Sequence, residues 1–410
     1  MPSDQTCVIV GASHAAAQLV ASLRQRGWSG PIRLIGDEGR VPYERPPLSK
    51  AYLAGDVDAE KLAIRPESFY ANHGVDIITD RVTTIDRDAK AVTLAAGKVT
   101  AYDKLALCTG ARVIRLPLPG AQLPGVRYLR NLADVEAIKN DLGSVKRAVV
   151  IGGGYIGLET AASLRKLGKA VVVLEMADRL LQRVTAPEVS AFYHRLHTEQ
   201  GVGIVTSAAA ASIEGQGRVE RVVCADGSSF PADMVIVGVG ITPATELAQA
   251  AGLSVDNGIV VDEFCQTADP DIVAAGDCAS QRDPQTGQHR RLESVPFAVE
   301  QAKSAAAALC GEPVAQTSLP WFWSDQYDLK LQMAGLNRGH DQVVIRGQSD
   351  SGDSLAAFYF RSGRMIAADC VNRPQEFMLA KRLLGKGQSV DPGTVGDESL
   401  TVKELLATAN

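Results

Sequence analysis

Cysteine is sparse here, with seven in 410 residues at positions 7, 108, 224, 265, 278, 310 and 370, and no two in CxxC or CxxxxC spacing. That scatter excludes an obvious zinc site, cluster site or redox-active disulfide, and buried reduced thiols are the expected state. Positive charge is also short: 42 Lys and Arg stand against 47 Asp and Glu, for a net charge of −5. Nucleic acid is therefore not an expected partner. No apolar run is long enough to span a bilayer. The first such run, Cys7-Val-Ile-Val10, has no basic stretch before it and meets a glycine after four residues, so it reads as a strand and not a leader. A cytoplasmic location is expected.

What is present is a globular composition long enough for two or three domains, and a motif that occurs twice. Cys7–Val10 is followed by Gly11-Ala-Ser-His-Ala-Ala16, a helical stretch to about Trp28, and a second strand Ile32–Ile35 ending at Asp37 and Glu38. The order returns at Ala148–Ile151, with Gly152-Gly-Gly-Tyr155-Ile156-Gly157, a helix to about Leu167, and Ala170–Leu174 ending at Glu175. Each is a strand, glycine turn, helix, strand and acid, the arrangement of a dinucleotide-binding βαβ unit. Two copies imply two dinucleotides. From about Pro320 the pattern changes to short strands (Lys330–Ala334, Gln342–Arg346, Leu355–Phe360, Met365–Asp369), then helices near Gln375–Leu384 and Val402–Thr408. The expected fold class is α/β: two Rossmann-like domains and a C-terminal α+β domain with an antiparallel sheet.

A pyrophosphate is held by the free N–H groups and positive dipole at a helix start, and close approach needs a turn with little side chain. Gly152, Gly154 and Gly157 satisfy every position of that turn. Glu175 lies 23 residues after Gly152, where a carboxylate accepts hydrogen bonds from ribose hydroxyls and repels a 2′-phosphate. NAD is expected there over NADP, with Arg179 and Arg183 nearby pulling the other way. In the first motif Ser13 and Ala16 stand where glycines are usual; a phosphate can still be cradled. The alternative reading is that Gly11 only turns a strand into a helix.

Further along, Gly276-Asp277 after the strand Ile272–Ala275 resembles an acidic motif that holds the ribityl chain of FAD. Ala106-Leu-Cys-Thr109-Gly110 and Val235-Ile-Val-Gly238-Val-Gly240 resemble the crossover strands of such flavoproteins. With these residues the chain resembles the ferredoxin reductases of the glutathione-reductase-like flavoprotein superfamily. It is most similar to the putidaredoxin reductase group serving bacterial P450 and ring-hydroxylating dioxygenase systems. The likeness covers nearly the whole chain. Its most specific segments are Arg45-Pro-Pro-Leu-Ser-Lys50-Ala-Tyr-Leu, Leu292-Glu-Ser-Val-Pro296 with Glu300-Gln-Ala302, Pro320-Trp-Phe-Trp-Ser-Asp-Gln326, Val371-Asn-Arg-Pro374 and Gly396-Asp-Glu-Ser399.

The resemblance implies an FAD domain from residues 1–112 and 243–318, an NAD domain at 113–242, and a C-terminal domain at 319–410. It implies FAD contacts by Ala15, Asp37, Lys50, Val82, Arg130, Asp277 and Val295, in addition to Gly11, Ser13, Ala16, Glu38, Arg45, Thr109, Gly110 and Gly276. NAD would meet Gly152, Gly154, Tyr155, Ile156, Gly157, Glu159, Glu175, Arg183, Gly238 and Gly240. Lys50 and Glu159 are the pair expected near the reactive flavin nitrogen, and Trp323 the aromatic near its edge. A plain buried ion pair and a core tryptophan are the alternatives. No metal site is expected.

The implied activity is NADH oxidation through FAD, with electrons passed singly to an acidic [2Fe–2S] ferredoxin. Lys303, Lys330, Arg338 and Arg373 are candidates for docking it, or else are ordinary solvated cations. A rubredoxin acceptor, an NADH oxidase or quinone reductase, and a redox-switched binding protein resembling the apoptosis-inducing factor remain open. A disulfide reductase would need a cysteine pair after the first βαβ unit, and none lies between Cys7 and Cys108. A monomer or weak dimer is expected.

Overall fold

The computed structural model describes residues 4–283, 287–348 and 350–409. Its backbone packs as two units. The first takes the chain up to Glu44, Glu60–Arg112 and Ile241–Ser318; the second takes Arg45–Ala59, Val113–Gly240 and the chain from Leu319 onward.

The first unit is built on a five-stranded parallel sheet in the order Ile272–Ala274, Lys104–Leu107, Cys7–Val10, Ile32–Gly36, Val75–Thr79. The central strand is buried at all four residues, which is why it reads as an unbroken apolar run with no alternation. Helices His14–Gln25 and Val295–Leu309 pack against each other in one core with Cys7, Ile9, Leu34 and Val273. A three-stranded antiparallel sheet (Val82–Asp86, Ala91–Leu94, Val99–Ala101) closes a second core on Val8, Val10 and Ile35.

The second unit repeats the parallel sheet as Val202–Val205, Ala170–Leu174, Arg147–Ile151, Met234–Val237, Val126–Tyr128. In each unit the first strand of the motif is central, its βαβ partner lies on one side and a crossover strand on the other. The chain from Leu319 adds a five-stranded antiparallel sheet in the order Trp321–Gln326, Leu329–Gly335, Arg364–Val371, Leu355–Arg361, Gln342–Gly347. Helices Pro374–Gly385 and Val402–Ala407 contribute to its core with Phe358, Phe360 and Leu405. The expected fold class is the observed one. Among the described residues no helix is long and apolar enough to cross a membrane.

Arg45–Ala59, which the sequence boundaries place in the first domain, bonds within the second unit. Ser163 Oγ donates to the Ser49 carbonyl at 2.7 Å, and Lys166 pairs with Asp56 at 2.6 Å. Its two prolines, Pro46 and Pro47, open a short 3₁₀ turn where their missing N–H groups cost nothing. Lys50 then breaks that turn before the helix Ala51–Ala54 begins.

Candidate functional site

In the first unit, Gly11 follows the central strand with φ +102°. A Cβ there would stand 2.1 Å from the Cys108 carbonyl oxygen, so only glycine fits. Ser13 caps the next helix in an extended conformation (φ −138°), which tolerates a side chain; that explains why serine replaces a glycine without distorting the turn. Ala15 and Ala16 are buried in the first turn of the helix. Gly276 has φ +88°, and a Cβ there would meet Ala15 Cβ at 3.4 Å and Ala298 Cβ at 3.8 Å. The first turns of two helices, of 12 and 15 residues, thus flank Gly276. Asp277 follows directly, and Val295 opens the second of those helices behind its cap Ser294. Two positive helix ends beside a small-residue gap suit a pyrophosphate, so the residues fit a dinucleotide.

The acid after the second strand is placed differently in the two units. Strand register pairs Val10 with Ile35 and Ile151 with Leu174, so Gly36 occupies the position of Glu175. A Cβ on Gly36 would lie 2.6 Å from Ala12 Cβ. Asp37 and Glu38 come one and two residues later, and Glu38 receives the Tyr43 hydroxyl. Val82 lies in the second core of this unit. Thr109 Oγ1 donates to the Ala244 carbonyl at 2.6 Å, fixing the crossover before Gly110.

In the second unit, Gly152 (φ +112°) would place a Cβ 2.4 Å from the Gly238 carbonyl oxygen, and Gly157 would place one 2.0 Å from the Gly152 carbonyl oxygen. A Cβ on Gly154, the helix cap, would meet nothing within 4 Å. The turn is therefore closed beneath and open at the helix start, which is the shape a phosphate needs. Glu175 accepts the Gly153 N–H at 2.6 Å through Oε2 and the Ala177 N–H at 2.8 Å through Oε1. Each oxygen keeps a lone pair for a ribose hydroxyl. Arg179 is committed elsewhere: it donates to the Thr185 and Gln182 carbonyls and to Ser190 Oγ. Arg183 is exposed, with its guanidinium near Gly240. Ile156 is exposed. Tyr155 donates its hydroxyl to Met333 Sδ at 2.9 Å and packs its ring 4.8 Å from Phe322.

The same unit gathers Lys50 and Glu159. Lys50 Nζ lies 2.7 Å from Glu159 Oε2, with Glu159 only 2% exposed. Ser49 Oγ donates to the same oxygen at 2.5 Å, and Ser324 Oγ donates to Oε1 at 2.6 Å. Two distant stretches of chain, Ser49–Lys50 and Ser324, thus converge on one carboxylate. Ser49 and Ser324 lie in two of the segments that carry the resemblance, but nothing in the sequence pointed to either as a partner of Glu159. Arg45 donates to the Arg130 carbonyl at 2.9 Å, and the Arg130 N–H is held by Asp134, whose capping box with Asn131 starts the helix Leu132–Asp141. Such a cap contributes about 1 kcal/mol. Trp323 is half-buried on its strand, stacked 5.6 Å from Trp321.

The four candidate docking cations differ. Arg373 is paired with Glu376 and Glu398, and Lys303 with Glu300. Lys330 and Arg338 are exposed. Among the described residues no cluster of His, Cys, Asp and Glu has metal-binding geometry.

Residues 5–302 match the family model of pyridine nucleotide-disulphide oxidoreductases, and residues 321–406 match a reductase C-terminal domain. The chain belongs to the pyridine nucleotide-disulphide oxidoreductase family. Members of this family use FAD and NAD(H), and so does this chain. Putidaredoxin reductase of Pseudomonas putida is 45% identical over all of this chain and 98% of its own length. The solved ferredoxin reductase for the CYP199A2 system from Rhodopseudomonas palustris superposes with a TM-score of 0.95 at 42% identity, covering 99% of this chain and 100% of that one. The reductase in a covalent putidaredoxin reductase–putidaredoxin complex gives 0.94 at 45% identity, covering 98% of each chain. The family name refers to a disulfide that this chain lacks: all seven cysteines are free and buried.

Proposed function

We propose that the chain carries electrons from NADH through FAD to a [2Fe–2S] ferredoxin that feeds a P450 or ring-hydroxylating oxygenase. The observation that carries this reading is a pair of dinucleotide cradles with no redox cysteine beside either. Two of the proteins similar to it are named for the same kind of electron delivery. FAD supplies the conversion of a two-electron donor into single-electron steps.

The chain's own residues bind and orient. Gly11, Ser13, Ala15, Ala16, Asp37, Val82, Thr109, Gly110, Gly276, Asp277 and Val295 hold FAD, with Arg45, Lys50 and Arg130 as further contacts. The turn Gly152–Gly157 and Glu175 hold NADH. Glu175 accepts ribose hydroxyls and opposes a 2′-phosphate, while Arg179, tied to three partners of its own, does not attract one. Glu159 fixes the Lys50 ammonium, whose positive charge favours electron density on the flavin. Lys330 and Arg338 present exposed cations to an acidic ferredoxin.

Anaerobic stopped-flow mixing with NADH or NADPH, followed by a [2Fe–2S] ferredoxin, tests the reading. Fast bleaching by NADH, slow bleaching by NADPH and rapid reoxidation by the ferredoxin are expected. Fast bleaching with no reoxidation by the ferredoxin would overturn the acceptor and leave the cofactors.

A further inference from the structure

Glu159 is the end of a longer line of buried side chains within the second unit. Ser324 Oγ is 2.6 Å from Glu159 Oε1, Gln326 Nε2 is 3.3 Å from Ser324 Oγ, and His197 Nε2 is 2.8 Å from Gln326 Oε1. Tyr327 Oη is 3.1 Å from His197 Nδ1. His197 and Ser324 are fully buried and Gln326 is 1% exposed.

The chemistry of each group fixes the direction of the whole line. A carboxylate only accepts, so Ser324 spends its one hydroxyl proton on Glu159. Ser324 can then only accept from Gln326, which must turn its NH₂ toward the serine and its carbonyl oxygen toward the imidazole. A carbonyl oxygen also only accepts, so His197 carries its proton on Nε2. Nδ1 is left as an acceptor for the Tyr327 hydroxyl. Every donor along the line points toward one carboxylate.

A second observation marks the far end. Tyr327 sits at φ +57° in the two-residue turn that joins the strands Trp321–Gln326 and Leu329–Gly335. A bulky side chain in that left-handed region is strained where glycine or asparagine would be relaxed. The turn keeps a tyrosine whose hydroxyl meets His197.

We propose that His197 is a positioning residue: held as its neutral Nε2–H tautomer, it orients Glu159 through Gln326 and Ser324, and through Glu159 the Lys50 ammonium. The proposal rests on the reading that Lys50 and Glu159 serve the bound flavin. Burial holds the imidazole down, to about 4, against the opposing pull of the Gln326 hydrogen bond, with His194 adding to the depression. Arg165 faces Tyr327 at that end. At the other end Lys50 pairs with Glu159; Tyr155 and Tyr193 face both Glu159 and the Asp369 carboxyl, and Asp325 also faces Tyr193.

The test uses FAD-loaded enzyme. With ¹⁵N-labelled histidine, the imidazole signal lost in H197Q should show a proton on Nε2 and no titration between about pH 5.5 and 8. A proton on Nδ1, or titration near the ordinary value of about 6.5, overturns the proposal without any functional assay. In anaerobic reduction by NADH, H197F and S324A should each lower the limiting rate constant about tenfold, the equivalent of one lost hydrogen bond. The apparent Kd for NADH should stay unchanged, and the double variant should be no slower than S324A alone. H197Q, which keeps a donor toward Gln326, should recover most of the rate. Additive losses, or a change in NADH affinity alone, overturn it. K50M separates the two claims: if K50M reduces at the wild-type rate, the role given to Lys50 fails. If K50M is slow and H197F is not, only the role of His197 fails.

Discussion

Glu175 Oε2 accepts the Gly153 N–H at 2.6 Å, so the carboxylate at the end of one strand also braces the phosphate turn that follows its neighbour. Binding of the ribose and order in the turn are therefore linked at a single side chain. Replacing Glu175 by alanine should cost more than a ribose contact. A lost hydrogen bond to a charged acceptor is worth about 1.5–3 kcal/mol, or roughly a 10- to 100-fold fall in kcat/KM for NADH. Glu175→Arg should lose as much with NADH and gain little with NADPH, because the Gly153 N–H then faces a cation. Steady-state kinetics with both nucleotides checks this; an efficient NADPH enzyme from that single change would contradict it.

Lys50 and Glu159 form a pair in which the acid is almost wholly buried and the lysine side chain is 17% exposed. Removing one partner leaves a largely buried charge alone, which costs about 3–5 kcal/mol. Glu159→Ala should therefore lower the apparent denaturation midpoint sharply. The double change Lys50→Met with Glu159→Leu should restore most of that stability while flavin reduction by NADH stays slow. Parallel denaturation and stopped-flow measurements separate the two effects. If the double variant reduces its flavin at the wild-type rate, the pair is structural only.

Much of this architecture could be read from the chain because both βαβ units carry their pattern locally, as an apolar run, a glycine turn and an apolar helix face. Four strands of the C-terminal sheet were legible for a similar reason. The strand Trp321–Gln326 was not, because its buried positions are Ser324 and Gln326 while its aromatics are half-exposed. The usual alternation is inverted to supply hydrogen bonds to Glu159 and His197. His197 gives no sequence signal either, since it is one residue of an ordinary amphipathic helix, Pro187–Glu199. The offset of Asp37 from the position of Glu175 is visible only in strand register, because counting residues between glycine and acid mixes loop length with strand position. Side chains that meet across about 110 to 165 residues, as Ser49 and Ser324 do at Glu159, follow from tertiary packing alone.

Two buried groups in the second unit oppose each other in their dependence on pH. Burial pushes the Asp369 carboxyl up to about 7, although the Tyr359 hydroxyl it accepts works in the other direction. The folded chain keeps that proton up to about pH 7, whereas the unfolded chain releases it near 4. Stability from this group is full below pH 4 and falls as pH rises to 7. His197 behaves in reverse: its folded value of about 4 lies below the ordinary 6.5. Its contribution is full above pH 6.5 and is lost as pH falls toward 4. Between those limits the two slopes cancel in the parent protein, so single variants reveal them. Asp369→Asn should gain stability over the parent as pH rises, by up to about 4 kcal/mol above pH 7. His197→Gln should gain on the parent as pH falls below 6.5, by up to about 3 kcal/mol. Tm measured across pH 4–8 for the three proteins decides it. Parallel curves would mean that neither group is held away from its ordinary protonation.

The cysteines lead to a prediction that separates this chain from the disulfide-bearing members of its family. All seven thiols are buried. Burial pushes Cys7 up to about 12 and raises Cys108, Cys265, Cys278, Cys310 and Cys370 as well. The thiolate is the reactive form, so native protein should resist alkylation at neutral pH and label fully only in denaturant. NADH-dependent reduction of a ferredoxin should survive prolonged exposure to the reagent. An anaerobic titration should reach its end point at about one NADH per FAD, since the flavin accepts two electrons and no second two-electron centre lies beside it. A second equivalent consumed, with two more thiols labelled in denaturant after reduction than before it, would mean that two of these cysteines form a disulfide in the oxidised protein.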